Sequence, residues 1–196
     1  MKRARLRSIA VVAILILLAG AAASAQDPTR RHGFRVGAGA GYGIAKASCD
    51  SCASEPRSGG VTSFVTAGIT LGSSVWLGGT LDGWTRRSHG ATETMANLAA
   101  SVSYYPLASP GFFVTGGLGV SRYRANTSPG ATGSGWGLLL GVGYDLDVSR
   151  RVSLSPVARY VYGNVGNINI GGGGGTFATG WKQNVLSFDL GLTFHK

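Results

Sequence analysis

Charge is the scarcest property of this chain: of its 196 residues only 13% are Asp, Glu, Lys or Arg. A water-facing shell needs many Lys and Glu side chains, so an ordinary soluble surface is hard to build from this composition. The acids number eight and are well dispersed; the paired carboxylates of an aspartate protease are missing. Histidine occurs three times, at His32, His89 and His195. None has a serine two residues on, so the His-x-Ser arrangement of a serine hydrolase on a barrel strand is absent. The two cysteines, Cys49 and Cys52, have no neighbouring pair to complete a four-ligand zinc site, and no βαβ setting for redox chemistry. No metal, cofactor or enzymatic activity is expected.

Long apolar runs are also lacking. The longest, Ile9 to Ala19, is well short of the ~20 residues of a spanning helix. It follows Lys2, Arg3, Arg5 and Arg7 and precedes Ala23-Ser24-Ala25. That order is a secretory signal peptide over residues 1–25, cleaved before Gln26. The residue directly after the cleavage site is Gln26, not cysteine, so no lipidated N-terminus is indicated. Without the signal's four cations the formal charge falls from +10 to +6, fourteen cations against eight acids. The remaining cations come largely as pairs between apolar stretches, Arg30-Arg31, Arg86-Arg87 and Arg150-Arg151, rather than as one face interleaved with aromatics. Nucleic acid is therefore not an expected partner.

Present in abundance are Gly, Thr, Ser, Val and aromatics, with few helix-forming runs. Eight segments alternate with the period of a β-strand. They are Phe34–Ala45, Val61–Gly72, Val75–Arg86, Met95–Tyr105, Phe112–Arg124, Gly135–Asp147, Val152–Gly163 and Val185–Lys196. In the last, Leu186, Phe188, Leu190, Leu192 and Phe194 share one face, while Ser187, Asp189, Gly191, Thr193 and His195 share the other. Each segment is near the ~9–11 residues with which a tilted strand crosses a bilayer, and the number is even. Gly72–Ser74, Pro106–Pro110 and Asp147–Arg151 read as short turns. Lys46–Gly60, Arg87–Thr94, Ala125–Ser134 and Asn164–Gln183 read as longer loops, with Gly171–Gly175 a flexible tip. Short turns at one end and long loops at the other are the habit of outer-membrane barrels. The Gly37–Gly43 repeat has period two and reads as strand, not as a phosphate-binding loop.

With these patterns stand local phrases: Ser103-Tyr104-Tyr105-Pro106, Gly116-Gly117-Leu118-Gly119, Gly141-Val142-Gly143-Tyr144-Asp145-Leu146 and Leu190-Gly191-Leu192-Thr193-Phe194. Together they resemble the eight-stranded outer-membrane barrels of OmpA and OmpX type. The resemblance implies an all-β, antiparallel up-and-down transmembrane β-barrel over residues 34–196, after a short segment 26–33. It implies residence in the bacterial outer membrane, among its lipids and lipopolysaccharide, as a monomer. It also implies that Phe194 is the aromatic read by the barrel assembly machinery, here followed by His195 and Lys196. A second, peptidoglycan-binding domain is not expected, so no cell-wall tether is implied.

An eight-stranded barrel leaves room only for side chains or one small ligand. Arg35, Asp82, Asp145, Arg159 and Asp189 fall on the inward parity. Mutual ion pairing that closes the lumen is the favoured role, because an unpaired buried charge is expensive; lining a narrow, porin-like polar path is the alternative. Arg122 is outward, near the long-loop end, where it can snorkel to the lipopolysaccharide surface. Trp76 and Trp84 have two readings, interfacial girdle or filled lumen. Cys49 and Cys52 are expected to form a loop-stapling disulfide in an oxidising compartment. The reading therefore favours a structural or surface-interaction barrel. A soluble periplasmic lipocalin-like barrel, with its apolar parity turned inward around a ligand, is the competing one.

Overall fold

The computed structural model describes residues 33–50, 52, 56–71, 74–88, 90–106, 111–171 and 175–196. The expected signal peptide and the segment 26–33, save its last residue, lie outside these residues, as do His32 and His89. The described residues form β1 (Gly33–Ser48), β2 (Ser58–Leu71), β3 (Val75–Ser88), β4 (Ala91–Tyr104), β5 (Phe112–Asn126), β6 (Ala131–Tyr144), β7 (Leu146–Ser149), β8 (Val152–Ile170) and β9 (Thr176–His195). Every pairing is antiparallel between sequence neighbours, apart from the two that close the ring. β1 pairs with β9 from Arg35↔His195 to Ser48↔Lys182, and β6 pairs with β8. β7 continues the path of β6 beyond a break at Asp145, so eight strands make the wall.

Alternation decides which face meets what. On β9, Leu186, Phe188, Leu190, Leu192 and Phe194 point out and are about half exposed or more, while Ser187, Asp189 and Thr193 are buried. β1, β2 and β4 follow the same rule with Tyr42, Ile44, Val65, Ile69, Leu98 and Val102 outside. Such an apolar outer band would be costly in water and is matched by hydrocarbon. A lipocalin-like barrel is excluded, because it requires the opposite polarity.

The apolar band ends sharply toward one end of the barrel. The band's last large apolar outward residues are Ile44, Val61, Leu81, Leu98, Val120, Trp136, Tyr162 and Leu186, with exposed Phe177 standing apart from it near the far end of β9. Beyond them the strands continue. The expected loops Arg87–Thr94, Ala125–Ser134 and Asn164–Gln183 are mostly strand, with β8 and β9 reaching 19 and 20 residues. Their Thr, Asn and Gly residues lack an apolar face to read from sequence, yet the ladder still satisfies their backbone groups. Of the expected long loop after β1, the described residues 49, 50, 52, 56 and 57 lie outside the strands.

Candidate functional site

The lumen is filled in three levels. At the short-turn end, Arg35 enters from the start of β1 and Asp145 from the break after β6. Arg35 Nη2 donates to Asp145 Oδ2 at 3.0 Å and to Oδ1 at 3.3 Å. Tyr105 Oη donates to Oδ2 at 3.0 Å, and Ser155 Oγ to Oδ1 at 2.6 Å. The guanidinium lies 5.4 Å and 5.8 Å from the ring centres of Tyr105 and Phe113. Tyr105 and Phe113 pack with Trp76 and Val157 as an apolar cluster around the pair.

Midway up, Arg159 of β8 bridges Asp82 of β3 and Asp189 of β9. Its Nη1 pairs with Asp82 Oδ1, and its Nη2 lies 3.2 Å from Asp189 Oδ2. Asp189 also accepts from Thr62 Oγ1 at 2.5 Å and Ser187 Oγ at 2.7 Å. Phe64 lies against Arg159, its ring centre 3.8 Å from the guanidinium carbon. Above this level sits the largest apolar cluster, in which Trp84, Met95, Tyr123, Ile168 and Trp181 meet across the barrel. Trp84 Nε1 donates to Gly43 O at 3.1 Å.

The five inward charges thus occupy two separate clusters. Opposite charges in contact, with hydroxyls on the remaining lone pairs, offset the desolvation that each would suffer alone. Among the described residues, cavities of about 20 and 50 Å³ lie within this packing. Ligand pockets run to roughly 300–1,000 Å³, so these spaces fit water rather than a solute. The smaller is lined by Asp82 and Asn97. Among the described residues, Asp82 Oδ2 and both ends of the Asn97 amide have no hydrogen-bond partner, which gives a single water the polar contacts it needs.

Trp76 and Trp84 are 3% and 1% exposed and fill the lumen; Trp136 alone of the three faces outward. Arg122 is outward while its neighbour Tyr123 is buried, so the register holds and the cation stands at the band's edge. Phe194 is outward on the closing strand, between Val36 and Val152. Cys49 and Cys52 are joined in a disulfide with Cα atoms 5.2 Å apart. Asp50, between them, donates its N–H to Thr179 O at 3.1 Å, tying this loop to β9.

Sequence reasoning missed several lumen partners. Thr62 and Phe64 sit on the inward parity of β2, and Tyr105, just past the end of β4, continues the inward parity of the segment Met95–Tyr105, so all three were open to that inference. A second constellation was also invisible locally. Ser153 Oγ donates to Asp147 Oδ1 at 2.6 Å and lies 2.9 Å from His195 Nε2.

Eight tilted antiparallel strands, apolar outside and with charges paired inside, define a transmembrane β-barrel with a packed lumen. The chain belongs to the outer membrane protein beta-barrel domain family, whose match spans residues 13–194. It is thereby a protein of the bacterial outer membrane, with the short turns toward the periplasm and the extended strands outside. Among solved structures it resembles neisserial surface protein A, at 22% identity over 83% of this chain and 97% of that one, with a TM-score of 0.54. It also resembles Ail, the attachment invasion locus protein of Yersinia pestis, at 12% identity over 83% of this chain and 99% of that one, with a TM-score of 0.51. No curated protein matches it significantly.

Proposed function

We propose that the barrel is a closed scaffold whose work is done at the cell surface, by the strands and loops that project beyond the membrane. The observation that carries this reading is the lumen: two buried charge clusters below and an apolar plug of Trp84, Met95, Tyr123, Ile168 and Trp181 above. A porin-like path would have to cross all three levels. The β8–β9 hairpin, by contrast, extends from Asn164 to Asn184 past the apolar band, roughly 20 Å at ~3.3 Å per residue.

The same reading makes the protein a non-enzyme. The Asp147, Ser153 and His195 grouping has the wrong order for a nucleophile, since serine stands between the other two and gives its proton to the carboxylate. Ser153 is also 0% exposed. Its better role is to fasten the end of β9 to the β7–β8 turn. Export by residues 1–25, lipopolysaccharide around the outer rim and recognition of the Phe194 strand by the barrel assembly machinery complete the proposal.

The test is to replace residues 166–180 with a two-residue turn and assay surface attachment in a deletion strain. Heat-modifiable gel migration reports whether the shortened barrel folds. A folded, shortened barrel should fail to restore the deletion phenotype; full restoration would move the function into the lumen.

A further inference from the structure

The middle level of the lumen carries more negative charge than positive. One guanidinium, Arg159, faces two carboxylates, Asp82 and Asp189, which leaves the cluster a net charge of −1. The Arg35–Asp145 pair below and the Arg86–Glu93 pair above are each neutral and do not offset it. Both oxygens of Asp189 and Oδ1 of Asp82 accept hydrogen bonds. Among the described residues Asp82 Oδ2 has no partner. A buried charge left uncompensated is expensive, so the excess calls for a counter-charge at that oxygen.

The strand register builds a polar row beside it. Asp82 stands directly opposite Asn97, and Asn97 opposite Ser121, across β3, β4 and β5. Asn97 is 1% exposed, and neither end of its amide has a partner among the described residues. Glycines make room for this row: a Cβ on Gly137 would collide with Asn97 Oδ1, and one on Gly163 with Ser121 Oγ. Asp82, Asn97 and Ser121 line the cavity of about 20 Å³ together with Thr62 and Ser187. The three hydroxyls donate their protons elsewhere, Thr62 and Ser187 to Asp189 and Ser121 to Ala96 O. Lone pairs are therefore what they have left for the cavity, beside a carboxylate oxygen and an amide oxygen. A water satisfies the polar atoms of such a space but leaves its charge.

We infer that this cavity binds one dehydrated alkali-metal cation, sodium or potassium, between Asp82 and Asn97. Hard cations take oxygen ligands, and five side-chain oxygens line the space: those of Thr62, Asn97, Ser121 and Ser187, and Oδ2 of Asp82. A single water needs roughly 10–15 Å³, so a cavity of about 20 Å³ admits a bare ion and excludes a hydrated one. One positive charge brings the cluster to neutrality, whereas a divalent ion would reverse its sign. The ion is then a fixed part of the packing, held above Arg159 and below the apolar plug. The site depends on the packed lumen and not on the surface role; cation-dependent stability and surface attachment are separate readouts, so each can fail alone.

The test compares urea midpoints of the barrel, refolded into zwitterionic phosphatidylcholine vesicles, in sodium, potassium and N-methylglucamine chloride at equal ionic strength. N-methylglucamine is too large for the cavity. In sodium or potassium above its Kd, each tenfold rise in free cation should raise the folding constant about tenfold, and N-methylglucamine should do nothing. Asp82→Asn removes the excess charge at nearly constant shape and should abolish the dependence. Asn97→Asp adds a second uncompensated carboxylate and should gain a response to calcium, so the site is read even if Asp82→Asn does not fold. Heat-modifiable migration checks each variant. Equal midpoints in the three salts would overturn the proposal, as would a cation response undiminished in Asp82→Asn or an Asn97→Asp barrel indifferent to calcium. A midpoint that follows pH with no preference among the salts would assign the counter-charge to a proton and overturn the metal.

Discussion

Arg159 is the residue on which the lumen turns. It serves two carboxylates, Asp82 and Asp189, and covers the face of Phe64. Removing one member of a buried pair leaves an uncompensated charge and costs about 3–5 kcal/mol. Arg159→Ala should therefore lower stability by that order, read as a fall in the urea midpoint of unfolding in lipid vesicles. Asp189→Ala should also lower stability, and by itself should not open a conducting path, because the apolar plug above it remains. The parity of each segment placed these charges in the lumen from sequence alone. It could not tell that Arg35 meets Asp145, 110 positions away, while Arg159 meets Asp82 and Asp189. Those choices depend on strand height and tilt, which alternation does not encode.

At the scale of elements, closure depends on how near β1 and β9 approach. Gly41 pairs with Asp189, and a Cβ there would press on Phe188 O and lie 2.8 Å from Asp189 Oδ1. Gly116 points outward, with its nearest neighbour, Leu140, 3.9 Å from such an atom. Gly41→Ala should cost about 1–3 kcal/mol by overpacking, whereas Gly116→Ala should stay within ~0.5 kcal/mol; unfolding midpoints in the same vesicles separate the two. Comparable losses would mean that the closing seam is no tighter than the lipid face. The eight alternating segments were legible because apolar side chains must face lipid at every second position. Beyond the membrane that demand stops. Residues such as Asn164, Asn167 and Thr179 therefore read as loop although they lie in long strands, and the bulge at Gly166 left no mark except the glycine itself.

For the molecule as a whole, orientation is a separate matter from closure. The Cys49–Cys52 loop belongs to the extended-strand end. A membrane-impermeant maleimide should leave intact cells unlabelled until a reductant opens the pair, and should then label Cys49 and Cys52 from outside. Labelling without reductant would remove the disulfide; none after reduction would invert the barrel. The disulfide closes only a short loop, so a C49S/C52S double variant should cost less than the ~3 kcal/mol returned by a 15-residue loop. Closure itself is measured most directly by adding the purified, folded barrel to a planar lipid bilayer and recording current under an applied voltage. The packed lumen predicts a flat baseline, unchanged when Asp189→Ala is tested. Stable, discrete current steps from the wild-type barrel would contradict it and make the lumen a channel.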